Sequence, residues 1–86
     1  MPVQKAKRRK ISRACQTLGA QIRSLRKRKG WSQEELAHRA RMHVTYLSSL
    51  ERGHRNPTLN VIADLARALG VPLPVLFRNV PTDESR

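Results

Sequence analysis

Residues 32–56, SQEELAHRARMHVTYLSSLERGHRN, hold the side chains whose types and spacing can do chemistry, and that chemistry is non-covalent. Hydroxyls, amides and guanidinium groups crowd this stretch, while the pairings that catalysis needs are missing from the chain. There is no glycine-rich phosphate loop, nucleophile elbow or acidic pair, so no enzymatic activity is expected. His38, His43 and His54 do not form a metal set: positions 38 and 43 are five apart, off a common helix face, and Cys15 is far away in sequence. No metal and no other cofactor is expected. What these residues can do is hydrogen-bond to, and pair with, a polyanion. The chain carries 18 Lys and Arg against 6 Asp and Glu, a formal net charge of +12 in 86 residues. Such a balance favours nucleic acid and, more weakly, an anionic membrane surface, but it specifies neither a fold nor a sequence preference.

The elements that must position these groups follow from capping and periodicity. Ser32, with Glu35 three residues on, is a capping box. It opens a second helix that runs to about Ala40 and buries Leu36, Ala37 and Ala40. A third helix over 44–52 buries Leu47 and Leu50, with Gly53 as its stop. Two short helices joined by a tight turn, then the basic loop HRNP, are the layout of a helix-turn-helix, whose second helix enters the DNA major groove. Double-stranded DNA is the expected partner. Upstream, Ile11, Ala14, Cys15, Leu18, Ile22 and Leu25 recur at helical spacing, which makes Cys15 a core thiol. That first helix starts at Ser12 or at Thr17, since either can cap and Gly19 weakens the stretch between them. It ends in RKRKG, with cations in the last turn and Gly30 as a left-handed stop. Downstream, Thr58 caps a fourth helix that buries Leu59, Ile62, Leu65, Ala66 and Leu69 and stops at Gly70. A last short helix, 73–77, is apolar almost all round. Five short helices and no strand signal give an all-α domain.

Eighty-six residues leave no room for a catalytic domain beside a binding domain. The expected organisation is a flexible basic extension over 1–14, the helical domain over 15–78 and a flexible tail over 79–86. One cysteine excludes an internal disulfide and fits a reducing cell interior. No apolar run approaches the roughly 18 residues of a membrane span, and no apolar segment follows the basic N-terminus as in a secretory signal. The expected location is the cytoplasm, at the nucleoid, without a membrane partner.

Over residues 18–77 the sequence resembles the lambda-repressor-like, or Cro/C1-type, helix-turn-helix family. Leu18-Gly19, Ile22, Leu25-Arg26, SQEELA, YLSSLERG, RNPTL, LARALGVP and the closing LF carry the resemblance. Within that family, TYLSSLERGHRNPTL looks most like the controller proteins of restriction-modification systems, small homodimers that regulate their own operon. The resemblance implies a compact five-helix fold and a salt bridge, Arg26 to Glu51, that ties the first helix to the third. It also implies which residues meet DNA: Val44, Thr45 and Ser49 at base edges, with Tyr46 and Ser48 flanking. On a helix 45 and 49 share a face, and 48 lies beside them. Val44 cannot make a bidentate hydrogen bond and can only pack on an apolar feature such as a thymine methyl. Direct readout should therefore be modest, with a larger share for DNA shape. Backbone contacts are expected from Gln33 and His43 and from Arg52, Arg55, Asn56 and Thr58. Gln33 is placed either to donate to phosphate or to brace the start of the third helix. Arg41 departs from the pattern, standing where the family usually has a positive-φ glycine.

Relatives pair through the last helix, which makes Leu73, Val75, Leu76 and Phe77 the expected dimer interface. Recognition helices would then lie about 34 Å apart on a near-palindromic operator. The segment KAKRRK reads as an arm in a groove or as a tether; electrostatic affinity without sequence information is the favoured reading, each neutralised phosphate adding roughly 0.9 to the salt slope. The leading function is a transcription regulator, repressor or activator, acting on double-stranded DNA as a homodimer, with RNA polymerase as a further candidate partner. The alternative is an antitoxin that neutralises a toxin and autoregulates its operon.

Overall fold

The computed structural model describes residues 12–82. Five helices follow one another: α1 Arg13–Arg28, α2 Gln33–Arg39, α3 Val44–Glu51, α4 Leu59–Leu69 and α5 Leu73–Leu76. The described residues include no strand. Ser12 decides the start of α1, its Oγ accepting from the Cys15 amide at 2.9 Å. The expected boundary at 14/15 therefore falls inside a helix, because Arg13 and Ala14 already belong to α1. The segment KAKRRK, Ile11 and residues 83–86 lie outside the described residues. At the other end Val80 packs against the core, so the ordered domain passes the expected limit at 78.

Caps and stops behave as side-chain chemistry dictates. Ser32 Oγ accepts from the Glu35 amide at 3.0 Å, but the Glu35 carboxylate does not reach back to the cap; it takes Arg39 Nε at 2.7 Å instead. Thr58 caps α4 through the Val61 amide at 3.1 Å. The helices α1 to α4 all end in the same double closure, in which the chain turns left-handed and two amides return to the last carbonyls. The returning pairs are Gly30 to Lys27 with Trp31 to Arg26, Arg41 to His38 with Met42 to Ala37, Gly53 to Leu50 with His54 to Ser49, and Gly70 to Arg67 with Val71 to Ala66. Three of these turns use glycine; the α2 turn uses Arg41, at φ 59°.

The core is built from Leu18 and Ile22 of α1, Leu36, Ala37 and Ala40, Leu47 and Leu50, then Ile62, Leu65, Ala66, Leu69 and Leu76. Each large aliphatic buried here contributes roughly 1.5–3 kcal/mol against exposure. Leu59 corrects the sequence expectation, because it is 63% exposed. As the first residue of α4 it stands a turn before the buried stripe begins, at the rim where the core has ended. Cys15 is half-buried, less enclosed than its place on the stripe implied.

Two glycines bring α3 onto α1. A Cβ at Gly19 would lie 2.3 Å from the Leu50 carbonyl oxygen and 2.7 Å from that of Glu51. One at Gly53 would lie 2.7 Å from Gln16 Cα. The C-terminal end of α3 thus seats against α1 almost backbone to backbone.

Candidate nucleic-acid interface

The α2–turn–α3 unit is held from behind by a buried polar knot. Arg26 Nε donates to Glu51 Oε2 at 2.7 Å and Arg26 Nη2 to Glu51 Oε1 at 3.0 Å. Arg26 Nη1 donates to the Trp31 carbonyl at 2.8 Å. The two side chains are 8% and 2% exposed, so this is a desolvated, bidentate pair. The hydrogen bond to Glu51 pushes the Arg26 pKa above its ordinary value against the opposing pull of burial. The guanidinium therefore stays charged at every physiological pH.

Gln33 joins this knot, its Nε2 donating to Glu51 Oε1 at 2.9 Å. The expected brace at the start of the third helix is thus found at its other end. A buried carboxylate retains acceptor capacity after two guanidinium bonds, and the half-buried Gln33 amide fills it. One carboxylate at the end of α3 collects donors from α1 and from the first residue of α2. Small Ala37, 2% exposed, lets α2 and α3 approach closely.

On α3 the inward residues are Leu47 and Leu50, both fully enclosed. Thr45 is exposed, while Val44, Tyr46, Ser48 and Ser49 are half-buried. Val44 and Tyr46 lean part of their surface on the core. His43 is the N-cap residue of α3, exposed and without a side-chain cap bond. Arg52, Arg55 and Asn56 are all exposed in the turn and loop after the helix. The Thr58 hydroxyl is committed to capping α4. The guanidinium of Arg55 lies over the Tyr46 ring, 5.4 Å from its centroid. Nothing in the sequence pattern signals that contact, because it depends on how the loop returns.

The basic run at the end of α1 divides. Arg26 is buried, whereas Lys27, Arg28 and Lys29 are exposed. Lys29 Nζ and the Arg39 guanidinium stand 5.3 and 4.2 Å from the Trp31 ring centroid.

The expected dimer set needs one correction. Leu76 is fully buried and closes the core of its own chain, so it is no part of any outer surface. Leu73 is half-buried against the same core, Val75 is half-buried, and Phe77, just after α5, is 39% exposed. The Val75 carbonyl accepts from Gln21 Nε2 at 3.0 Å, which anchors α5 to α1. Among the described residues no three His, Cys, Asp or Glu side chains gather as a metal site would require, and no helix is long and apolar enough to cross a membrane.

This architecture has known relatives. A family model described as helix-turn-helix matches residues 22–76. An uncharacterized HTH-type transcriptional regulator, y4dJ of Sinorhizobium fredii, is 47% identical over 68 residues, which span 79% of this chain and 86% of the relative. The crystal structure of the restriction-modification controller protein C.AhdI from Aeromonas hydrophila superposes with a TM-score of 0.72 at 40% identity, over 73% of this chain and 96% of that one. The controller protein C.Esp1396I, solved as a tetramer on its natural 35 base-pair operator, gives a TM-score of 0.71 at 30% identity, over 78% and 88% of the two chains. Fold, turn and sequence agree: the chain belongs to the helix-turn-helix family of transcriptional regulators, the family of the restriction-modification controller proteins.

Proposed function

We infer that this regulator is a homodimer that reads a near-palindromic operator in double-stranded DNA and controls its own operon in the manner of controller proteins. The observation that carries this reading is the outer face of α3. Thr45, Ser48 and Ser49 stand on a helix whose opposite side is locked into the core, and Arg52, Arg55 and Asn56 follow it into solvent. A rigid helix with small hydroxyls in front and cations behind suits a groove: the hydroxyls meet base edges and the cations meet phosphate. The N-terminus of α2 adds backbone amides for a phosphate, while the Gln33 side chain serves the knot.

The dimer is supported by the large apolar side chains left exposed among the described residues, Leu59 and Phe77. Phe77, with half-buried Leu73 and Val75 just before it in the chain, offers apolar surface that a second copy can cover. Operator occupancy would then follow protein concentration through dimerisation.

Selection from a random duplex pool, at near-physiological salt with competitor DNA, tests the reading. The expected product is a two-fold symmetric motif with half-sites about 34 Å apart. Recovery of no motif, with binding that vanishes as salt rises, would mean that charge alone drives association and would overturn it.

A further inference from the structure

Val44 and Thr45, which open the front turn of α3, are too short to carry a long charged donor to a base edge. The fold supplies one from elsewhere. After α3 the chain does not run on: the Gly53 amide returns to the Leu50 carbonyl and the His54 amide to the Ser49 carbonyl. The loop is thereby turned back along the helix, and Arg55, nine positions after Tyr46, comes to lie over the ring of a first-turn residue at 5.4 Å. Tyr46 is half-buried with part of its surface on the core, so the ring is fixed, while Arg55 is exposed.

We propose that Tyr46 is a positioning residue: its ring is the platform that holds Arg55 beside the first turn of α3, so that a loop cation provides the charged donor that Val44 and Thr45 do not. The inference rests on the DNA-reading function above. A contact to the ring face uses no N–H hydrogen bond, so the guanidinium keeps its donors for a base edge or phosphate. It also restricts an otherwise mobile loop side chain before DNA arrives, and that ordering is then no longer charged against binding. Tyr46 acts through Arg55.

The test uses the full chain and the operator recovered by selection. An exposed cation–π contact corresponds to roughly a two- to fivefold change in affinity. Tyr46→Leu keeps the apolar packing but removes the ring, and should weaken binding by that factor. Tyr46→Phe keeps the ring and should bind as the parent does. In an Arg55→Ala background, Tyr46→Leu should have no further effect. Equal losses in both backgrounds would overturn the proposal, as would a Tyr46→Phe variant as weak as Tyr46→Leu, which would assign the role to the hydroxyl. A DNA-free readout separates this from the function itself: the Arg55 side-chain proton resonances should carry a ring-current shift that Tyr46→Leu abolishes. Its absence in the parent chain would overturn the platform even if the operator is bound. A parent chain that carries the shift but binds no duplex would overturn the DNA reading, and the positioning role with it.

Discussion

Glu51 is the residue on which the helix-turn-helix unit closes, because one carboxylate satisfies Arg26 twice and Gln33 once. Removing it strands a guanidinium that is almost wholly out of water. Glu51→Ala should therefore cost about 3–5 kcal/mol in denaturant unfolding. On the Arg26 side the contribution does not vary through the neutral range. The pKa is raised, so the stabilisation is complete at every pH below the guanidinium's ordinary range and fades only above it. Gly19 shows a second residue-scale conflict, and magnitudes decide it. Gly19→Ala gains about 1 kcal/mol of helix propensity. Its Cβ, however, would sit 2.3 Å from a backbone oxygen that cannot rotate away. Forcing α1 off α3 costs roughly 1–3 kcal/mol, so the variant should melt lower despite being the better helix former.

At the scale of the element, the turn after α2 carries strain that its three sister turns avoid. Arg41 holds φ 59° without a glycine's freedom, at a cost of roughly 1–2 kcal/mol. Arg41→Gly should recover part of this, less the extra entropy of glycine in the unfolded chain. The expected outcome is a melting point higher by roughly a few degrees for a domain of this size, read by calorimetry. This turn was legible in the sequence, as were the five helices, their glycine stops and the inward leucines of α3, because capping and periodicity are local. The misses have one physical cause: each depends on where the rest of the chain ends up. Leu59 has the right spacing for α4 but no core above it. Gly19 reads as a weak point in a helix, when it is the contact between two helices. Gln33 reads as a phosphate donor or a brace for the start of the third helix, until Glu51 arrives from eighteen residues away. Arg55 reads as a DNA-backbone contact, with no hint of the Tyr46 ring that the returning loop brings beneath it.

For the whole molecule, the last residue of α5 and the one after it separate folding from the proposed association. Leu76 is sealed in the core while Phe77 is 39% exposed. Phe77→Asp should leave the monomer fold intact by circular dichroism yet weaken the proposed dimer in sedimentation. An unchanged oligomeric state would remove Phe77 from the interface. Operator affinity should fall with it, since two half-sites would no longer be engaged together.

The chain has one tryptophan, and its surroundings give it a use apart from stability or recognition. Trp31 offers its carbonyl to Arg26 and its ring to Lys29 and Arg39. It thus sits at the junction of α1 and α2 with two positive charges against its indole. Indole emission responds to the electric field across the ring, so the unlabelled protein carries its own optical reporter beside the polar knot. Glu51→Ala should shift that emission while the helices are still folded.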